Sequence, residues 1–326
     1  MNTDEKQRKK KLNRGPTHTW EFVGSLVALL VITLFGIIPD AYRGSYWDPT
    51  KAGQFGDFVG GYFGTVFLVV SVAVLVGSYR NQRFSNKVAA FESRFFELLQ
   101  YHRDNTVEIE VESVKGRRAF VSFIREWRLL VALVQEAESQ VSKKLTIPER
   151  AILSYLAFFH GSGPNARRSF EQAAAKDYPS ELRTAVLDKM SADWKVYRNA
   201  HITDAPIDAG DTGGKVRKPL AYIPFEGHHS RLAHYFRHLF HLVKYAADYA
   251  PGETAQEYVN LVRAQLTTHE QAVLALHAAS VDGEWRSEPY LQDFHLIQNI
   301  PLGFLTDEEF PVREVFPRVA YADASR

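Results

Sequence analysis

From Phe58 through Tyr79 the chain carries no charged residue (FVGGYFGTVFLVVSVAVLVGSY). At about 22 residues this run is long enough to cross a hydrocarbon core of roughly 30 Å as a tilted helix. A helix at a water interface needs a polar stripe, and this run leaves no face for one. The chain is therefore expected to be built around a membrane span.

A second uncharged block runs from Phe22 to Ile38 (FVGSLVALLVITLFGII), with Trp20 just outside it. At about 17 residues it lies near the lower limit for a span, and an indole favours the interface. A cleaved signal peptide and a buried pair of soluble helices share parts of this pattern. After Ile38, however, the chain reads Pro39, Asp40, Ala41, Tyr42, Arg43, with no small-x-small cleavage site.

Lys and Arg at the flanks set orientation, because they stay in the cytoplasm. Lys6, Arg8, Lys9, Lys10, Lys11 and Arg14 precede the first block, and Arg80, Arg83 and Lys87 follow the second. The connector from Pro39 to Asp57 holds only Arg43 and Lys51, beside the aromatic Tyr42, Tyr46 and Trp47. Both termini are thus expected in the cytoplasm, with the connector outside. Gly60, Gly61 and Gly64 give the second block a small-residue face, suited to packing against the first span or against further copies of the chain.

Past Tyr79 the apolar residues keep helical spacing: Phe84, Val88, Phe91, Phe95, Leu98 and Leu99 extend the second span to near His102. Gly116 opens the next helix, which carries Phe120, Phe123, Ile124, Trp127, Leu130, Val131 and Val134. Thr146 and Glu149 stand at capping-box spacing with Pro148 between them, and that helix stops at Gly161. One or two helices follow from Ala166 to Ala200, broken at Tyr178 and Pro179. A Gly-, Asp- and Pro-rich loop is expected near 201–224, then helices from Ser230 to Tyr249 and from Thr254, capped by Glu257, to Ser280.

The expected fold class is all-α, with two N-terminal transmembrane helices followed by a cytoplasmic helical bundle. The division is a basic tail over 1–19, a two-span hairpin over 20–83 and the helical domain over 84–326.

The chain has no cysteine, which closes thiolate zinc clusters, disulfides and cysteine nucleophiles. A formal net charge of +1 is too balanced for whole-chain nucleic-acid binding by phosphate neutralisation. The segment GDTGGK from Gly210 to Lys215 departs from a phosphate loop, with Ala209 where the first glycine belongs and Val216 in place of the Ser or Thr that holds magnesium. No cofactor is implied.

The helix from Ser230 concentrates polar chemistry. His234, His238 and His241 share one face, with Arg237 and Lys244 beside them. Metal binding is disfavoured there, since the two cations would repel a metal ion and a bundle site draws ligands from a facing helix. Six residues separate Arg231 from His238, the outer limit of the Arg-x(4-6)-His spacing of the all-helical HEPN ribonucleases, where the histidine moves a proton and the arginine stabilises phosphate charge. Arg263, on the next helix, could face Tyr235 or Glu226. Together with the loop residues Arg217 and Lys218, the residues His234, Arg237, His241 and Arg263 form a candidate contact surface for an acidic ligand or partner.

Several blocks in order resemble the phage abortive infection family, the AbiC-like proteins of bacterial antiphage defence. They are GQFGDFVGGYFG (Gly53 to Gly64), Phe91 to Val107, GRRAF (Gly116 to Phe120), FFHG (Phe158 to Gly161), HYFRHLFHLVKY (His234 to Tyr245) and YVNLVRAQL (Tyr258 to Leu266). The resemblance covers roughly residues 53 to 300. It implies a two-span inner-membrane protein with a cytoplasmic helical domain, acting in defence and carrying no established catalytic residue. Partners implied are the lipid bilayer, further copies of the chain through the spans, and a reverse transcriptase with its RNA-DNA product, as in a retron, or a phage-derived trigger. The expected mechanism is permeabilisation of the inner membrane without enzymatic activity; the alternative is a membrane-tethered ribonuclease using Arg231 and His238.

Overall fold

The computed structural model describes residues 24–25, 49–141, 143–203, 220 and 222–322. The basic tail, almost all of the first uncharged block, and Arg217 and Lys218 lie outside the described residues. The chain divides into two units, Met1–Arg83 and Phe84–Arg326. The described part is overwhelmingly helical, as an all-α chain should be.

Helix α1, Pro49–Glu108, contains the second uncharged block. Among the described residues it is the one helix long and apolar enough to cross a membrane, and none of its most apolar window is buried. In the first unit Phe67, Leu68, Val69 and Leu75 are each more than half exposed. The core helix of a soluble protein would bury such residues; here they form one apolar surface, which marks a membrane or protein contact. The helix continues past His102, where the spacing argument ended it, to Glu108. Thr106, whose hydroxyl donates to the His102 carbonyl at 2.8 Å, occupies that extra turn.

In the second unit a two-residue antiparallel hairpin, β1 Glu110–Val111 with β2 Val114–Lys115, turns the chain. It leads into α2, Arg117–Ser139, at Gly116 as expected. Trp127, Phe120 and Phe123 on α2 are fully buried. α2 packs against α3 (Ile147–His160), α5 (Ser180–Thr203) and α8 (Thr268–Ser280), so it forms the middle of the bundle. α3 begins at the expected capping box: Glu149 N donates to Thr146 Oγ1 at 3.4 Å, and Thr146 N donates back to Glu149 Oε2 at 2.8 Å. α4, Pro164–Ala174, and α5 flank the break at Tyr178 and Pro179.

The expected loop near 201–224 starts later than the composition placed it, while residues 220 and 222–228 are irregular. His201 to Thr203 still belong to α5, and Leu220 and Tyr222 are buried because their apolar bodies join the core. α6, His229–Tyr249, then buries Leu232, Tyr235, Phe236, Leu239, Phe240, Leu242, Val243 and Ala246 along one side. The single helix expected from Thr254 to Ser280 is two helices, α7 (Ala255–Gln265) and α8. The capping box lies at Thr267 and Glu270, not at Thr254 and Glu257. Thr254 has helix-like ψ of 1°, and its hydroxyl donates to the Pro251 carbonyl instead.

Beyond Ser280 come three short helices, α9 (Glu284–Ser287), α10 (Tyr290–Asp293) and α11 (Val312–Val315). Arg128 on α2 ties this C-terminal stretch back with a two-pronged pair to Glu309, at 2.8 and 3.1 Å, and a bond to the Phe304 carbonyl at 2.6 Å.

Candidate functional site

α6 carries no carboxylate until Asp248, near its last turn. The side opposite its buried ridge exposes His234, Arg237, His241 and Lys244. The rings of His234 and His238 meet edge to face at 4.5 Å, and His238 is held below the ordinary imidazole range first by burial, then by its neighbours His234, His241 and Arg237. Burial beside other cationic and imidazole groups favours the neutral form of the His238 ring.

Arg237 and His241 also line a cleft of about 360 Å³. His229 stands at its other end, and Phe159, Phe236 and Trp285 form its walls. The Trp285 indole N–H donates to the Phe236 carbonyl at 3.0 Å. His277, also in the lining, stacks on Phe236 at 4.1 Å and puts Nδ1 3.2 Å from the Tyr155 hydroxyl. Burial, helped by His229, pushes the His277 pKa down to about 3, so it stays neutral at physiological pH.

Behind the start of α6 lies a buried polar lock. Glu126 on α2, fully buried, accepts from the Tyr222 hydroxyl at 2.5 Å and the Phe225 backbone N–H at 2.7 Å, and His228 Nε2 lies 2.8 Å away. The His228 ring packs between Phe123 and Phe158, each at 4.6 Å. Phe225 has φ of 74°, a left-handed conformation rare for a bulky residue, and its bond to Glu126 holds it there. Burial and then the charge of Glu126 push the Tyr222 phenol far up. Next to the lock, Gly161 and Gly227 bring two backbones together: a Cβ at Gly227 would come within 2.2 Å of the His160 carbonyl oxygen. Both have positive φ, so the stop of the FFHG block and the start of α6 require glycine twice over.

The remaining expected site residues are dispersed. Arg231 donates to the Gly227 carbonyl at 3.3 Å. Arg263 bonds neither Tyr235 nor Glu226; α7 packs against α6, but the Arg263 guanidinium donates to the His295 carbonyl at 3.3 Å. Tyr235 instead donates to Glu270 at 3.3 Å. Among the described residues no set of His, Asp and Glu converges as a metal site. For Gly60, Gly61 and Gly64, a Cβ would meet nothing within 4 Å among the described residues.

Residues 227–305 match the family model described as putative phage abortive infection protein. This segment is AbiC-like. The match runs from Gly227, at the lock, through α6, α7, α8, α9 and α10. The AbiC-like segment supplies every side of the 360 Å³ cleft except Phe159, and it links the chain to defence against phage. No curated protein and no solved structure matches the chain significantly.

Glu126, Tyr222, His277, Glu284 and Trp285 were not singled out from the sequence. Only Glu126 left a readable signal, a carboxyl group one position before Trp127, inside the run of buried α2 residues.

Proposed function

We propose that this chain is an inner-membrane effector of abortive infection, with both termini cytoplasmic, which arrests or kills the infected cell by permeabilising its own membrane. The AbiC-like segment at 227–305 carries the reading. The unburied apolar window of α1 supports the membrane part, since a surface of that kind is stable only when covered by lipid or by another apolar face.

The mechanism is non-enzymatic. No charged side chain lies between Phe58 and Tyr79, so a single copy offers no ion path, and assembly through the face of Gly60, Gly61 and Gly64 supplies the leak. Silence before infection requires a partner that biases the body between two states. The basic loop residues Arg217 and Lys218, with His234, Arg237 and His241 on α6, suit an acidic partner: a reverse transcriptase holding an RNA-DNA product, or a phage-derived trigger.

The test is phage challenge of cells expressing the chain, following dye entry, membrane potential and RNA integrity together. Depolarisation with intact RNA is expected. RNA cleavage that disappears in His238→Ala, without depolarisation, would make the chain a tethered ribonuclease instead.

A further inference from the structure

His229, Ala233, Arg237 and His241 recur at every fourth residue of α6, which keeps them on one slowly drifting helical face. All line the 360 Å³ cleft. Its groups fall into distinct chemical kinds. Arg237 and His241 are exposed, and among the described residues neither holds a hydrogen bond or an ion pair, so their donors are free for an anion. Phe159, Phe236 and Trp285 present rings, and the bond from Trp285 to the Phe236 carbonyl together with the stack of Phe236 on His277 fixes two of these rings in place. Glu284 is the one carboxylate in the lining and holds no side-chain hydrogen bond among the described residues.

We propose that this cleft binds a nucleoside monophosphate, with the phosphate at Arg237 and His241, the base against the aromatic wall, and a sugar hydroxyl or base N–H donating to Glu284. A free phosphate would satisfy the arginine but leave the rings wet and Glu284 without a donor. An apolar ligand would desolvate Arg237 without a partner, at a cost it could not recover. The volume lies at the lower end of small-ligand sites and suits a single nucleotide. His277, kept neutral by burial, adds a polar floor without a competing charge. The proposal goes beyond the defence reading and does not depend on it, because binding is read on the chain itself.

The experiment is calorimetric titration of the full chain in mild detergent with AMP, GMP, CMP and UMP, and with inorganic phosphate, ribose 5-phosphate and adenosine as partial ligands. At least one monophosphate is expected to bind about tenfold or more tightly than any partial ligand, with affinity falling as salt rises. Arg237→Ala is expected to weaken it by about tenfold or more, and Ala233→Trp to abolish it by filling the cleft with Arg237 intact. Arg237 is exposed and Ala233 half-buried against the core, and an unchanged melting temperature verifies that both variants fold. The proposal is overturned if none of the four binds at millimolar concentration, if inorganic phosphate binds equally well, or if binding survives both substitutions.

Discussion

A carboxyl group with no exposure, fed by a phenol, a backbone N–H and an imidazole, makes Glu126 the residue on which the stretch before α6 depends. Replacing it by alanine strands those buried donors together and frees Phe225 from its left-handed geometry. Glu126→Ala should therefore lower the stability of the body by at least about 3 kcal/mol, measured by denaturant midpoint in detergent. Glu136→Ala, on the exposed surface of the same helix, removes only a surface ion pair to Lys189 and should change it by less than about 1 kcal/mol. The buried histidines give a second prediction. His102 is pushed down to about 4 and His277 to about 3, in both cases chiefly by burial. Their folded values lie below the unfolded value of about 6.5, so the unfolded chain binds more protons and stability falls as pH drops. The loss should begin near pH 6.5 and continue to about pH 4 for His102 and about pH 3 for His277, approaching 1.4 kcal/mol per pH unit for each imidazole, and thermal melts across that window read it. The positively charged face of α6 was visible in the sequence because spacing alone gathers it. The lock was not, since Tyr222 and His228 reach Glu126 from about a hundred residues away.

At the scale of elements, two Thr-x-x-Glu sequences compete as helix starts, and their chemistry is the same. Backbone geometry separates them. Thr267 is extended, with φ −70° and ψ 163°, so its hydroxyl can accept from Glu270 N at 3.3 Å, while Thr254 is already turned toward the helix and cannot. Val259, Val262, Leu266 and Val273 stay in phase on one helical face at steps of three, four and seven residues, interrupted only at His269 and Glu270, which is why one helix was expected where two exist. Thr267→Ala should cost about 1 kcal/mol, and Thr254→Ala only a few tenths, by the same denaturant measurement. An equal loss in both would mean that the break between α7 and α8 is not maintained by its cap. Elsewhere element chemistry was legible: the box at Thr146 and the opening at Gly116 rest on interactions within a few residues, and the stop at Gly161 has a local bond to the Ala157 carbonyl, although the close approach of Gly227 that also demands glycine there is long-range. The short helices after Ser280 depend on distant tethers such as Arg128 to Glu309, which no local pattern announces.

For the molecule as a whole, the long apolar helix α1 and the AbiC-like segment meet different demands on one chain. The segment at 227–305 contributes the cleft, while the exposed run from Phe58 to Tyr79 must find its own cover. The glycines in that run offer a clean test of what the cover is. Among the described residues a Cβ at Gly60, Gly61 or Gly64 touches nothing, so a larger side chain introduces no clash within the described part of the chain. In lipid, apolar side chains are tolerated anywhere on the outer face, and leucine is a better helix former than glycine. Gly60→Leu with Gly64→Leu should therefore leave insertion, expression and the melting of the body unchanged. If copies pack through this face, the same pair should reduce cross-linked oligomers in membranes and abolish depolarisation on phage challenge. Oligomers and depolarisation at the original level would place the contact elsewhere and remove the glycine face from the mechanism. Lost insertion or a lowered melting temperature would instead point to close packing of this face within a single chain.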